Sequence, residues 1–414
     1  MNALPIHIKM DVIQTLALAA VVLMVGISLK RRLSWLDRLN IPAAVIGGLL
    51  CSIVFLTLRD RVVNVEMDLT LRDLLMIAFF TTVGLNASLQ LIKRGGWQVL
   101  VFFGLASLLA VVQNLVGIAL ARLFHLHPLL GIIAGSVSLT GGPATSLAFG
   151  PTFEQLGISG ATTLGLASAT FGITSGGLLG GPLGTRLVER YRLLKHSPRM
   201  HAPSAVPAPP IAPEVSSVDN GSIYEEGAEK SDVLRSLMIV AIAMGIGSII
   251  GKWISAKGIV LPAYIGAMIV AALFRNLDDR FKFIHLSPAN AEAIGNISLS
   301  LFISMALMNL KLWELVNLAL PLLVILLAQV LITVAVAYVV SFHLMGRDYE
   351  SAVMASGFLG FMLGTAANAI ACMDALVEKF GAAPRAYLVV SIVGAFLIDF
   401  TNALIITTMA NLFK

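Results

Sequence analysis

The chain reads as a series of long apolar runs separated by short polar loops. Runs of about 18 residues or more can cross a bilayer core as helices. In the first half they fall at 12–29, 41–58, 73–91, 97–121 and 158–185. In the second half they fall at 233–251, 259–274, 287–309, 314–342 and 386–411. Two further apolar stretches differ in kind. Residues 129–152 carry no charge before Glu154, yet Gly141, Gly142 and Pro143 sit in their middle, and Pro interrupts the helical ladder. Residues 351–373 are charge-free between Glu350 and Asp374 and hold Gly357, Gly360 and Gly364. Broken backbone at membrane depth must be buried in protein or line a wet cavity. The pattern therefore predicts two re-entrant hairpins, the first with its half-helices meeting at Gly141–Pro143. Two Gly-rich helices packed closely by small residues would give the same pattern.

Each half holds five spans and one hairpin. Residues 187–232, rich in Pro, Ala and Ser, read as a flexible linker between them. Faint echoes tie the halves together. Ile41-Pro42-Ala43 matches Leu261-Pro262-Ala263 at an offset of 220. Phe80 and Phe302 differ by 222, and Gly141 and Gly364 by 223. The expected fold is an all-α polytopic membrane protein. It has about ten transmembrane helices plus two re-entrant hairpins in two inverted-topology repeats, 1–186 and 233–414. Two oppositely directed interrupted segments in matching places point to a transporter's binding site.

Composition supports the class. Of 414 residues, 57% are hydrophobic and 12% charged, with a net charge of +5; soluble domains carry about 25% charged residues. The placement of the basic residues sets the orientation. Of 28, 19 fall in the linker and in the loops on its side of the membrane, which makes that side cytoplasmic and puts both termini outside. No basic n-region precedes the first run, so 12–29 is expected to be a retained span. Two cysteines, Cys51 and Cys372, support neither a disulfide framework nor a Cys-based metal site. All seven histidines lie in or near loops, which argues against a membrane-embedded hydrolase with a Ser–His or HExxH arrangement. A channel is the remaining alternative, because opposed hairpins can form a pore.

Candidate chemistry lies in the few polar residues at depth. Asp399, in VGAFLIDFTNALII, is a costly carboxylate and by default a functional one. Asn402 shares its helix face. Carboxylate and amide oxygens suit Na⁺ as a hard cation; Asp399 could equally pair with a substrate ammonium, carry a proton or bond another helix. Thr365 completes the expected Na⁺ set of Asp399, Asn402 and Thr365. No Lys, Arg or His lies well inside a span. An anionic substrate would therefore be held by backbone N–H groups and helix N-termini, with hydroxyls helping. The residues expected to do so are Ser138, Thr140, Gly141, Gly142, Ala144, Thr145 and Ser146 in the first hairpin, and Gly364, Thr365 and Asn368 in the second. Asn402 is included, as are Asn86 and Asn309, which could instead cap helix C-termini in the left-handed conformation. Gln113, Asn114 and Gln329 read as substrate contacts or as glue between helices.

Four stretches are also recognisable together: IPAAVIGGLL (41–50), DLTLRDLLMIAFFTTVGLNASL (68–89), GNISLSLFISMALMNLKLWEL (295–315) and VGAFLIDFTNALI (393–405). Through them the chain resembles the bacterial sodium/glutamate symporters, related to the bacterial citrate symporters. The resemblance implies Na⁺-coupled glutamate uptake across the inner membrane, no cofactor beyond the coupling ion, and a homodimer whose transport domain moves against a scaffold. At the hairpins the chain departs from the usual pattern, with Gly141-Gly142-Pro143-Ala144-Thr145 and Ala366-Ala367-Asn368-Ala369. Another amino acid or small carboxylate, coupled to Na⁺ or H⁺, is thus the alternative substrate. Nothing suggests a nucleic-acid partner.

Overall fold

The computed structural model describes residues 6–33, 41–59, 63–193, 223–257, 261–282, 287–310 and 318–414. The first half comprises α1 (Val12–Arg32), α2 (Ala43–Leu58), α3 (Thr70–Leu85), α4 (Leu89–Leu123), α5 (Pro128–Ile132), α6 (Gly142–Gln155) and α7 (Ala161–Arg190). The second comprises α8 (Ile223–Ser255), α9 (Ala263–Phe281), α10 (Pro288–Met308), α11 (Ala319–Ala335), α12 (Tyr349–Met362), α13 (Ala366–Phe380), α14 (Pro384–Ile392) and α15 (Ile398–Phe413). Widened π turns at Ile133–Val137, Val336–Ser341 and Val393–Leu397 extend α5, extend α11 and join α14 to α15.

The apolar runs became helices nearly where expected, with differences that have local causes. The third run, expected over 73–91, ends at Leu85 and resumes at Leu89 as α4, which turns at Gly96 with φ 66°. The linker expected over 187–232 is shorter at both ends, because α7 runs on to Arg190 and α8 begins at Ile223. Its middle, 194–222, lies outside the described residues. The chain is also not wholly helical: β1 (Ile6–Met10) pairs in parallel with β2 (Val63–Met67), and Lys9 meets Glu66 at 3.5 Å. That pairing joins segments more than fifty residues apart, so no local pattern announced it.

Five described helical segments are long and apolar enough to cross a membrane: Val12–Arg32, Gly96–Leu123, Asp232–Ser255, Pro288–Met308 and Ala319–Leu344. Their outer faces expose large apolar side chains, as in Leu237, Ile242, Ile246 and Ile249 of α8. Such continuous apolar surface suits lipid. The helices pack in two groups that cut across the sequence halves. In the first, α1–α3 pack with α8–α10. In the second, α4–α7 pack with α11–α15. Tyr264 of α9 lies where the groups meet, stacked on Phe80 of α3 at 3.8 Å and edge-on to Phe149 of α6 at 5.9 Å.

Small residues set the spacing within the second group. Gly172, Gly176, Gly180 and Gly184 form one stripe on α7. A β-carbon on Gly176 would come within 2.7 Å of Asn368 Nδ2, on Gly180 within 2.4 Å of Cys372 Sγ, and on Gly184 within 2.4 Å of Leu376 Cδ2. Asn368, Cys372 and Leu376 are themselves four residues apart on α13. The two helices therefore interlock along rows of period four, the small-xxx-small packing of membrane helices.

Candidate functional site

Both interrupted stretches are broken, and the breaks come together. The first leaves helical geometry at Gly135 (φ −100°, ψ −128°), turns through 138–141, and restarts as α6 at Gly142. The break therefore lies ahead of the expected Gly141–Pro143. Pro143 occupies the first turn of α6, where its missing N–H costs nothing, so it begins a helix instead of interrupting one. In the second stretch the chain turns at Leu363–Thr365 and restarts as α13 at Ala366. Gly357 and Gly360 lie inside α12, where they let Met373 and Ala369 of α13 approach.

The N-terminal ends of α6 and α13 thus meet. Gly142 has φ +65°, and a β-carbon there would stand 3.0 Å from Gly364 O and 3.3 Å from Thr365 Cγ2. At this meeting Ala367 is exposed and Gly141, Ala144, Thr365 and Ala366 are partly exposed, while Gly142, Thr145, Ser146, Gly364 and Asn368 are buried. Each helix start presents N–H groups without intrahelical acceptors and the positive end of a helix dipole. Two such ends converging, with no basic side chain among these residues, can bind an anion.

Much of the surrounding polar chemistry is spent on holding this geometry. Thr140 Oγ1 donates to Gln113 Oε1 at 2.6 Å, while Gln113 Nε2 donates to Met362 O at 3.1 Å. One amide on α4 therefore grips both breaks. Gln329 of α11 donates in turn to Gln113 O at 2.6 Å. Asn114 Oδ1 accepts from Ser136 N at 2.9 Å. Asn402 of α15 reaches the same residue from the other side, Nδ2 donating to Ser136 O at 2.9 Å. What remains unpartnered here among buried side-chain atoms is Asn402 Oδ1, Ser136 Oγ, Asn114 Nδ2, Gln329 Oε1 and Asn368 Oδ1.

The chain matches the sodium/glutamate symporter family over residues 8–382. It is 38% identical to the sodium/glutamate symporter of Escherichia coli K12 over 400 residues, which is 96% of either chain. It is 33% identical to that of Haemophilus influenzae over 393 residues, 94% of this chain and 95% of the relative. The chain belongs to the sodium/glutamate symporter family. Its resemblance to that family in IPAAVIGGLL and the other stretches is therefore a family relationship, and it is a transporter, not an enzyme.

In this symporter-family chain the predicted substrate residues other than Asn402 separate into three sets. Gly141, Gly142, Ala144, Thr145, Gly364 and Thr365 stand at the meeting of the breaks. Ser138, Thr140, Ser146 and Asn368 adjoin it but have committed bonds. Ser138 Oγ donates to Ile133 O, Ser146 Oγ lies 2.9 Å from Gly142 O, and Asn368 Nδ2 donates to Ile173 O and Gly360 O. Asn86 and Asn309 form the third set. They cap α3 and α10 in the first helix group, with φ of −88° and −96°, so neither takes the left-handed conformation expected for such a cap. Among the described residues, no hydrogen bond links either to the breaks.

The Na⁺ set is spread in the same way. Thr365 Oγ1 caps α13 by accepting from Asn368 N at 3.3 Å. Asn402 reaches the first break, whereas Asp399, one turn earlier, lies within electrostatic reach of the Tyr264 hydroxyl in the other helix group. Sequence reasoning omitted Ser136 from the site. Its position amid hydroxyls in a charge-free stretch was the available signal, but nothing local showed that Asn114 and Asn402 would converge on its backbone.

Proposed function

We propose that this chain couples inward Na⁺ movement to glutamate uptake across the bacterial inner membrane. The observation that carries the reading is the meeting of two helix N-termini at Gly142 and Gly364 in a chain of this family. Converging dipoles and free N–H groups suit a carboxylate, with Gly141, Ala144, Thr145 and Thr365 closest to it. Ser138, Thr140, Ser146 and Asn368 support that cradle from behind. Asn86 and Asn309 are retained only as contacts made when the helix groups shift. Asn402 Oδ1, buried and unpartnered, is the first oxygen offered to Na⁺, with Asp399 and Thr365 as the remaining partners.

The finer mechanism is part of the same proposal. The ten spans and two re-entrant hairpins form two inverted repeats, 1–186 and 233–414, joined by a cytoplasmic linker, with both termini periplasmic. The group carrying both breaks is the moving transport domain, and α1–α3 with α8–α10 form the scaffold of a homodimer. Two features support this. Each helix group draws on both sequence halves, the first taking three helices from each, and the close approach of Gly26 to Gly47 is repeated by Gly247 and Gly266.

The test is accumulation by purified protein in proteoliposomes. An inward Na⁺ gradient should drive labelled glutamate above its outside concentration, and dissipating the gradient should release it. Counterflow against a panel of amino and hydroxy acids identifies the preferred substrate. Passive flux indifferent to Na⁺ would overturn the reading in favour of a channel.

A further inference from the structure

A groove of about 420 Å³ runs between α7 and the end of α11 with its π turn, away from the residues assigned to transport. Its walls are apolar, with Leu179 and Pro182 on α7 and Val334 on α11; at one end stand Arg186 and Arg190 of α7, with Tyr338 of the π turn. Leu179, Pro182, Arg186 and Arg190 follow one another at intervals of three or four, so they share a helix face. Both arginines are exposed. Among the described residues neither guanidinium has an acidic partner; the adjacent Glu189 pairs with Lys379 at 3.5 Å.

We propose that this groove binds one anionic phospholipid. Its phosphate is held by Arg186 and Arg190, its glycerol region meets the Tyr338 hydroxyl, and an acyl chain lies along Leu179, Pro182 and Val334. The order of chemistries along α7 is the order found along a lipid. The apolar wall lies along the body of α7 and against Val334 of the Ala319–Leu344 span, and the cations lie in the last two turns of α7, which ends at Arg190. Arginine suits phosphate because its planar fork can donate two bonds at once. Tyrosine is the residue that sits at the junction of hydrocarbon and headgroup. Basic pockets between transmembrane helices are known receivers of anionic headgroups. Free phosphate would use the arginines but leave the apolar wall uncovered. The linker's own acidic residues would likewise satisfy the charges without needing an apolar wall shaped for a chain.

Native mass spectrometry of the purified full chain tests this, with phosphatidylglycerol titrated against phosphatidylcholine. The unaltered chain should retain phosphatidylglycerol selectively. The double variant Arg186→Gln/Arg190→Gln should lose roughly 30-fold in affinity, about fivefold for each charge removed from a membrane-surface site. Arg186→Lys/Arg190→Lys should keep most of the binding. Leu179→Trp, which fills the wall and leaves the charge, should lose binding as well, and this variant decides the matter if the double Gln variant does not fold. Unchanged retention in Leu179→Trp would overturn the proposal. So would inorganic phosphate displacing the lipid in full at equal concentration. A photoreactive residue at position 179 that crosslinks in native membranes to residues 194–222, or to a second copy, in place of lipid would also overturn it.

Discussion

Gly142 faces the carbonyl of Gly364 so closely that a β-carbon on it would stand 3.0 Å from that oxygen. The two breaks therefore approach backbone to backbone, with the Thr365 methyl beside them. Gly142 is doubly constrained, because its φ of +65° is also one that side chains disfavour. Gly142→Ala should cost about 1–2 kcal/mol in backbone strain alone and push the second break away. The expected result is uptake reduced far more than thermal stability in detergent. Equal loss of both would assign Gly142 to folding alone.

Gln113 ties Thr140 of the first break to Met362 beside the second. Gln113→Leu keeps the size but leaves two buried groups without a partner, at about 1–3 kcal/mol for each orphaned group. Gln329→Leu removes only the bond to Gln113 O and should cost less. In a double-mutant cycle with Thr140→Val, Gln113→Leu should show coupling, whereas two independent sites would simply add. Substrate affinity measured on the same variants separates a clamp from a ligand. A clamp variant weakens binding of every competitor alike.

Gly180 faces Cys372 across the α7–α13 interface. Gly180→Leu should force the helices apart, carrying the start of α13 and Thr365 with them. Exposed positions such as Leu178 should tolerate the reverse change, Leu178→Gly, at about 1 kcal/mol from helix propensity. The measurement is melting temperature in detergent alongside uptake. Tolerance of Leu at position 180 would refute the interlocking stripe.

What the sequence made legible was chemistry that acts within one segment. That the two runs are interrupted was visible because glycine, proline and hydroxyl residues break charge-free stretches. Pro143 was read as part of the first break but starts α6, because a proline can either end a helix or start one, and the choice depends on the turn before it. The stripe Gly172, Gly176, Gly180 and Gly184 was printed in the chain at period four, and its partner face only emerged once α13 was packed against it. The pairing of β1 with β2, the division into two helix groups, and the reach of Asn402 to Ser136 all join residues distant in sequence. No local periodicity carries that information.

Asp348 caps α12, accepting from Ser351 N at 2.8 Å and Ser351 Oγ at 2.6 Å, and pairs with Arg385 in the first turn of α14. Burial alone would raise its carboxyl, but the bonds from Ser351 and Arg385 outweigh that and hold it below its ordinary value of 3.8. A depressed carboxyl contributes stability above its ordinary value and loses it as pH falls through the folded one. Asp348→Ala should destabilise the protein at neutral pH by about 1 kcal/mol, mostly through the cap. The site is half exposed, so solvent discounts the ion pair. Melting curves of the two forms should converge below pH 3.8. A gap constant with pH would assign the effect to packing.

Asp399 offers the sharpest test, because two roles predict different results. It lies in α15 one turn before Asn402, whose Oδ1 is buried and unpartnered at the first break, and it interacts electrostatically with Tyr264 of the other helix group. A carboxylate at that depth is costly unless a cation or a hydrogen-bond donor compensates it. If Na⁺ is the compensating charge, its binding joins the coupling ion to the helix that holds Ser136, and so to the cradle for the substrate carboxylate. That is a physical route by which one ligand strengthens the other, and the strengthening must be reciprocal. Asp399→Asn should then abolish accumulation driven by Na⁺ while the protein still inserts, and glutamate should no longer raise Na⁺ affinity. Tyr264→Phe should leave the Na⁺ dependence intact. If instead the carboxylate acts only through its charge on the Tyr264 hydroxyl, which has no hydrogen-bond partner here, Tyr264→Phe and Asp399→Asn should behave alike, with slowed transport and an unchanged Na⁺ dependence. Uptake measured against Na⁺ concentration for both variants decides between them, and equal Na⁺ curves would leave the cation to Asn402 and the neutral oxygens of the breaks.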